Sequence, residues 1–375
     1  MFTVSVEVHT MKIDEWENIY TRFEDEMTMF DNIVSLAKNL PDEGGPEIEG
    51  CTPEQYRPML QAISRIYETI KRLEQEPGET KNSSSDLSPF NKKIKSFTKQ
   101  FDIHLVGFTT LEKAWVFPPS EKWTYPQTYQ EIKHRNVISL GMEMNCEIFN
   151  INHFPDNETL FEAMNVYAKL GEVIDKIVEY IREQGFEATG HHPYAGNFLY
   201  SAHAVKAGIG SLGANGIVLT DLYGPRQRFG AITTNAPLEL IETSENFFDE
   251  FCMRCMRCVK TCPTKALSSD KINCDGVYKW KINNKRCWPY FIANNGCGVC
   301  MMVCPLNKKN TGFNRFVLKS IRKSSLLTAL LLKIDDSFIW KPSLINRRKD
   351  GMKPVEGPMS FKNMLKKFGE KDNQS

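Results

Sequence analysis

Eleven cysteines stand in the 375-residue chain, and nine of them fall between Cys252 and Cys304. A first run, "CMRCMRCVKTCP", sets Cys252, Cys255, Cys258 and Cys262 at gaps of two, two and three residues before Pro263. A second, "CGVCMMVCP", adds Cys297, Cys300 and Cys304 before Pro305. Soft thiolates in such density select zinc, copper(I) or iron–sulfur clusters. Zinc sites use two CxxC pairs or mix cysteine with histidine, and no histidine follows His203. Disulfide frameworks belong to small chains in oxidising compartments. The N-terminal "MFTVSVEVHTMKIDEWENIY" has neither the basic start nor the apolar stretch of a secretory signal, so a reducing, cytoplasmic setting is expected.

The CxxCxxCxxxCP spacing is that of bacterial two-cluster ferredoxins, whose fourth cysteine reaches over to the other cluster. The expected ligands of one 4Fe–4S cluster are therefore Cys252, Cys255, Cys258 and Cys304. Cys262, Cys297 and Cys300 serve a second cluster, which still needs a fourth ligand. Cys274 in "KINCDGVY" and Cys287 in "KRCWPYF" are both available. Cys287 is nearer the second run and is flanked by aromatics that could shield a cluster. A ferredoxin alone needs only about 60 residues. Electrons are thus expected to pass to a reaction centre elsewhere in the chain.

The elements that must position such a centre are legible in outline. "EQYRPMLQAISRIYETIKRLEQ" carries an apolar stripe of helical period, including Met59, Leu60, Ile63, Ile66 and Ile70. Residues 76–89 read as an exposed linker, with a compact domain starting near Asn91. "IHLVGFTTL" (103–111) and "NVISLGMEM" (136–144) read as strands. The intervening loop bears Trp115, Phe117, Trp123 and Tyr125, which could line a pocket or merely cover a core. "LFEAMNVYAKLGEVIDKIVEYIREQG" (160–185) is the clearest helix, capped by Asp156 or Asn157 and ended by Gly185. A shorter helix ends at Gly208, and "GIVLT" and "GAITT" read as strands around the "YGPRQR" turn. The pattern is α/β or α+β, and spacing alone does not fix the topology.

Composition excludes little else. Lysine plus arginine number 47 against 46 acids, so the whole chain offers no basic field for nucleic acid. The longest apolar run, "LLTALLL" (326–332), is far short of a bilayer span, and no membrane association is expected. The glycines of "AGIGSLGANG" do not follow a strand and open a helix, as a dinucleotide fold requires.

Residues 207–238, "AGIGSLGANGIVLTDLYGPRQRFGAITTNAPL", followed by the first cysteine run and then by "GVYKWKINNKRCWPYFIANNGCGVCMMVCPLNK" (276–308), resemble the corrinoid-dependent reductive dehalogenases and their relative epoxyqueuosine reductase. The resemblance covers residues 95–310 and supports Cys287 over Cys274. It implies an α+β fold: a nitroreductase-like core holding base-off cobalamin, beside a ferredoxin-like domain with two 4Fe–4S clusters. The expected divisions are an N-terminal helical region and linker (1–90), a corrinoid-binding core (91–245), the cluster domain (246–312) and a C-terminal tail (313–375) that carries no interpretable motif but could fold back over the core. The family's proton donor is a tyrosine upstream of a basic residue in the YGPxxR turn. Here Arg228 matches the basic position, and counting back by the family's spacing reaches Tyr167. Spacing alone would make Tyr167 a core residue of its helix. A phenol stays protonated at neutral pH, and an adjacent arginine stabilises the phenolate. Arg226 reads as a surface residue of the turn.

By the same resemblance Asn197, Ser201, Gly208, Gly210, Ser211, Gly213, Asn215 and Gly216 contact the corrinoid. His191 and His192 read as polar loop residues rather than cobalt ligands. The implied activity is reduction of a small organohalide, fed by an external low-potential donor such as a ferredoxin or flavodoxin. The only Arg-Arg pair stands at 347–348, so the twin-arginine leader and membrane role of the respiratory dehalogenases are not expected. The chain departs from epoxyqueuosine reductases in reading "YAKLGEVIDKI" where they carry a GRDYH-like acidic motif. Epoxyqueuosine reduction, and corrinoid handling without a substrate, stand as the alternatives.

Overall fold

The computed structural model describes residues 53–74, 90–117, 132–149, 157–194, 196–243, 248–274, 277–293, 297–309, 311–314, 316–317 and 325–338. Helix α1 (Pro53–Glu74) is followed by α2 (Asn91–Thr98), β1 (Leu105–Thr110), β2 (Asn136–Glu143), α3 (Asn157–Glu183), β3 (Ala188–His191) and α4 (Tyr200–Lys206). Then come β4 (Ser211–Leu212), β5 (Val218–Leu219) and β6 (Gln227–Thr234). The cysteine region supplies α5 (Asp249–Cys255), α6 (Arg257–Thr261), the hairpin β7 (Ile272–Cys274) and β8 (Val277–Lys279), α7 (Asn284–Ala293) and α8 (Val299–Met302), before a final α9 (Ser325–Phe338).

Four strands make one sheet in the order β1-β2-β6-β3, with every neighbouring pair antiparallel. Antiparallel pairing with helices packed outside the strands makes the fold α+β. Strand alternation sends Ile138 and Leu140 of β2, with Ile232 of β6, to the face covered by Leu170, Ile174, Ile177 and Ile181 of α3. These positions are essentially fully buried. Each such aliphatic side chain contributes about 1.5–3 kcal/mol of burial, which makes this layer the main source of cohesion. Val137 and Ala231 face the other way, onto Phe198 and Tyr200.

Helix α3 ends as its sequence implies. Gly185 takes a φ of 86°, its N–H donates to Arg182 O at 2.9 Å, and the Phe186 N–H donates to Ile181 O at 3.2 Å. The two bonds form a Schellman stop. Asp156 lies outside the described residues. "GIVLT" yields only the two-residue β5, because the chain turns at Thr220 to meet Gly224.

The packed body begins by Pro53, ahead of the expected start at Asn91. Ile66 and Ile70 of α1 pack on Ala168, Met164 and Tyr167 of α3, and Leu73 enters the main core. Arg65 donates from Nε and Nη2 to both carboxylate oxygens of Glu172, at 2.7 and 2.8 Å. The other end of the chain also returns: Leu332 of α9 packs among Phe248, Phe251 and Trp280, beside the first cysteine run. The linker at 76–89, Trp123, Tyr125 and the tail beyond Phe338 lie outside the described residues.

Candidate functional site

The cysteines are carried by short helical turns bent by left-handed residues. Met256 (φ 50°) separates α5 from α6, and Gly298 (φ 61°) precedes α8. Each bend returns the next thiol toward the preceding ones. The thiols sort into two groups. Cys304 interacts with Cys252, Cys255 and Cys258, whereas Cys297 interacts with Cys262 and Cys287. Cys300 joins the second group while also facing Cys258. Cys287 faces Cys262. The side chain of Cys274 lies outside the described residues.

Burial pushes the thiols of Cys252, Cys258 and Cys297 up to about 12, and those of Cys300 and Cys304 well above their ordinary value. Unligated, they are inert thiols at neutral pH. As ligands they must be thiolates, so metal binding releases their protons, and positive charge offsets the desolvation. Among the described residues no three His, Cys, Asp or Glu side chains converge on a single-ion site. A cubane cluster does not ask for that convergence, since its four cysteines bind four separate irons. The donor set therefore fits 4Fe–4S clusters. The Ala266 N–H donates to Cys262 Sγ at 3.3 Å.

Tyr167 and Arg228, 61 positions apart in sequence, are brought together. The guanidinium carbon of Arg228 lies 5.0 Å from the centre of the Tyr167 ring. Arg228 lies on the same side of β6 as Ile232, the side that faces α3, and pairs in register with Met142. Tyr167 is half-buried rather than a core residue. Its ring meets that of Tyr194 edge to face at 5.5 Å. Arg228 Nε is buried without a hydrogen-bond partner among the described residues. An orphaned cationic donor is costly unless something accepts from it.

His191 and His192 are both buried: His191 closes β3, and His192 lies in the loop that follows it. Burial holds both near a pKa of about 3, hence neutral. His191 Nε2 is 2.9 Å from Thr233 Oγ1, and Asn197 Nδ2 is 3.5 Å from His191 Nδ1. His192 Nδ1 accepts from the Tyr194 N–H at 3.0 Å, which leaves the proton on Nε2. That Nε2 is a second buried atom without a partner among the described residues, lodged against Gly171 of α3. His203 is occupied structurally, accepting from the Glu112 N–H at 3.0 Å. Trp115 packs on it edge to face, while Phe117 is exposed.

The glycine-rich segment and the turn after it meet the cysteine module. A side chain at Gly216 would strike Ile282, and one at Gly210 would strike Leu219 O. Gly213 is equally confined by Leu219. Ser211 Oγ accepts from the Phe248 N–H at 3.2 Å, and Asn215 Nδ2 donates to Cys300 O at 3.4 Å. Gly208, exposed with a φ of 72°, has Thr243 and Ile241 at ordinary contact distance, and Ser201 is exposed on α4.

Arg226 overturns its expected surface placement. Its side chain is fully buried, and it donates to Asn307 Oδ1 at 2.7 Å, Glu143 Oε1 and Met144 O at 2.5 Å each, and Lys308 O at 3.0 Å. Asn307 Nδ2 in turn donates to Phe149 O at 2.6 Å. Gly224 (φ 58°) lets the turn approach so closely that a Cβ would lie 2.3 Å from Leu306 O. Arg226 is thus a latch between sheet body and cysteine module. The sequence signal for it was present, but nothing local distinguishes Arg226 from Arg228.

Comparison with known proteins matches residues 251–308 to the 4Fe–4S dicluster domain family. The chain is 25% identical over 285 residues to tetrachloroethene reductive dehalogenase of Desulfitobacterium hafniense, covering 72% of this chain and 48% of that one. It is 31% identical over 139 residues to epoxyqueuosine reductase of Lactococcus garvieae, covering 32% and 38%. A solved catabolic reductive dehalogenase in complex with 3-bromo-4-hydroxybenzoic acid superposes with a TM-score of 0.63 at 20% identity, over 76% of this chain and 43% of that one. The chain has the reductive dehalogenase fold and an iron–sulfur module. It spans about half the length of the curated dehalogenases it matches. Among the described residues no helix is long and apolar enough to cross a membrane.

Proposed function

We propose that the chain is an iron–sulfur oxidoreductase that reduces a small organohalide at a corrinoid, with Tyr167 as proton donor. The observation that carries this reading is the meeting of Tyr167 and Arg228 across α3 and β6, beside the latched iron–sulfur module. Relatives named reductive dehalogenases, one of them solved and described as B12-dependent, support the cofactor and substrate class. Two 4Fe–4S clusters, held by Cys252, Cys255, Cys258 and Cys304 and by Cys262, Cys287, Cys297 and Cys300, would supply one-electron relays. A corrinoid would supply the low-potential cobalt to which the carbon–halogen bond is presented. The unpartnered Arg228 Nε and His192 Nε2 fit a bound group carrying acceptors, and Asn197, Ser201 and the 208–216 segment are the proposed surroundings.

In the balanced reaction a carbon–halogen bond breaks, a carbon–hydrogen bond forms, and halide leaves, consuming two electrons and one proton. The proton comes from the Tyr167 hydroxyl. Arg228 lowers the energy of the phenolate as it forms and offers a cationic N–H to the departing halide. Tyr194 braces the phenol ring from its edge. Reprotonation from solvent restores the donor.

Protein reconstituted anaerobically with iron, sulfide and cobalamin should bind the corrinoid base-off, seen in the cobalt(II) EPR spectrum. It should also release chloride or bromide from a haloaromatic panel under a low-potential reductant. An epoxyqueuosine-bearing tRNA stem-loop assayed in parallel tests the second relative. Reduction of that stem-loop without halide release would overturn the organohalide reading, and no corrinoid uptake would overturn the proposal.

A further inference from the structure

The chain is nearly neutral overall, but its cations are not evenly spread. Between Arg257 and Arg286 there are eight basic residues and two acidic ones, so the remainder of the chain is net acidic. Lys260, Lys265, Lys281, Lys285 and Arg286 are all exposed, and none makes an ion pair among the described residues. The backbone gathers them on one end of the module. Lys265 Nζ donates to Lys260 O at 3.2 Å, and Arg286 Nη1 reaches Lys265 O at 3.4 Å. The Asn283 N–H donates to Ala266 O at 2.8 Å, and Leu267 bridges to Ile282, which draws Lys281 and Lys285 to the same strip. Cys262 and the half-buried Cys287 lie within this strip.

The geometry points to this basic strip as the docking surface for an acidic, one-electron carrier protein that reduces the module through the Cys262–Cys287 end. Unpaired like charges held together repel one another, and an opposing surface relieves that repulsion. Such a field also steers encounter and speeds association severalfold to a thousandfold. A cluster bound by four thiolates adds negative charge of its own beneath the strip, and the excess of cations stands against it. Only a cluster close to the surface can accept an electron from a protein too large to enter. In the step, the carrier's reduced centre is oxidised by one electron and the cluster is reduced by one; no bond or proton moves. A nucleic-acid backbone is the other acidic surface this strip could meet. The protein carrier is favoured because the strip is centred on redox ligands. The inference rests on the iron–sulfur reading but on neither the corrinoid nor the substrate.

The test mixes full-length reconstituted protein with a reduced, strongly acidic flavodoxin as the probe and follows bleaching of the cluster absorbance by stopped flow. Reduced methyl viologen serves as the small cationic control. Converting Lys260→Glu, Lys265→Glu and Arg286→Glu together should slow reduction by flavodoxin at least about tenfold. It should also flatten the salt dependence of that rate. The viologen rate should not fall, since removing cations from the strip can only ease the approach of a cation. Lys92→Glu with Lys113→Glu, on exposed sites elsewhere, should change neither rate. If the charge reversals perturb cluster assembly, the glutamine triple variant and a salt titration of the unaltered protein read the same dependence. Equal slowing with both reductants, an equal effect from the distant pair, or a salt-independent flavodoxin rate would overturn the inference. So would strip-dependent binding of an RNA stem-loop with flavodoxin reduction unaltered. Loss of halide release with normal cluster bleaching would touch only the proposed function.

Discussion

In the sheet body, Ile138, Leu140, Ile174, Ile177 and Ile232 bury one another completely, and a 27-residue helix closes over four paired strands. In the iron–sulfur module, α5, α6 and α8 run seven, five and four residues, and cysteines supply much of the interior. Helices that short do not stand alone in water. The body is held by apolar burial; the module has a smaller apolar cluster around Phe248, Phe251, Trp280 and Leu306, and its thiols would add bonds to the clusters they hold. A rigid body can fix Tyr167 against Arg228, while a module of such short helices needs a separate tie to stay in register with it. Arg226 supplies that tie.

The contrast can be broken most severely through a ligand. Cys304→Ala should empty the first cluster and lower iron content from about eight per chain to about four or fewer. Limited proteolysis should then cut the module while the sheet body stays protected. Equal loss of protection in both regions would mean that they are one metal-dependent unit. Next in size is the latch. Arg226→Ala strands Asn307, Met144 O and Lys308 O, and should destabilise the protein by about 3 kcal/mol. Hydrogen exchange should rise first at residues 304–309. A loss below about 1 kcal/mol in denaturant titration would make the latch ornamental.

A smaller effect tests the helix side. Gly→Ala inside an open helix is worth about 1 kcal/mol of gain. At Gly171 the added carbon would lie 2.1 Å from His192 Nε2. Gly171→Ala should therefore lower stability by about 1–3 kcal/mol, and a raised melting temperature would refute that packing. The smallest concerns Arg65. Its hydrogen bonds, then its charge, hold the Glu172 carboxyl below the ordinary value of 4.5. A depressed folded pKa contributes stability above the unfolded value, and that contribution is lost as pH falls through the folded one. Both side chains are about a third exposed, so the pair contributes no more than about 1 kcal/mol. Arg65→Met should cost that amount at neutral pH, with the difference from the parent shrinking on acidification below the usual carboxylate range. A pH-independent difference would point to lost packing instead.

The same contrast explains what could be read before folding. Ligand spacing in the module is local: Cys252, Cys255 and Cys258 announce themselves within seven residues. The α3 stripe and its Gly185 stop are local too. The pairing of Tyr167 with Arg228 depends on antiparallel register bringing β6 under α3, and only a family spacing reached it. Arg226 and Arg228 sit two residues apart, yet one enters the latch and the other faces α3, a difference set by where β6 begins. A Cβ at Gly210 or Gly213 would meet Leu219, and one at Gly216 would meet Ile282, neighbours that no local spacing announces. Near-neutral composition hid the basic strip because acids elsewhere balance it.

The central claim is that the body presents a proton donor to electrons delivered by the module. It is tested most directly by Tyr167→Phe in protein loaded with clusters and corrinoid. Cluster content, corrinoid binding and the bleaching rate with viologen should be unchanged, while halide release falls by about a hundredfold to ten-thousandfold. Halide release at the parent rate would contradict the account.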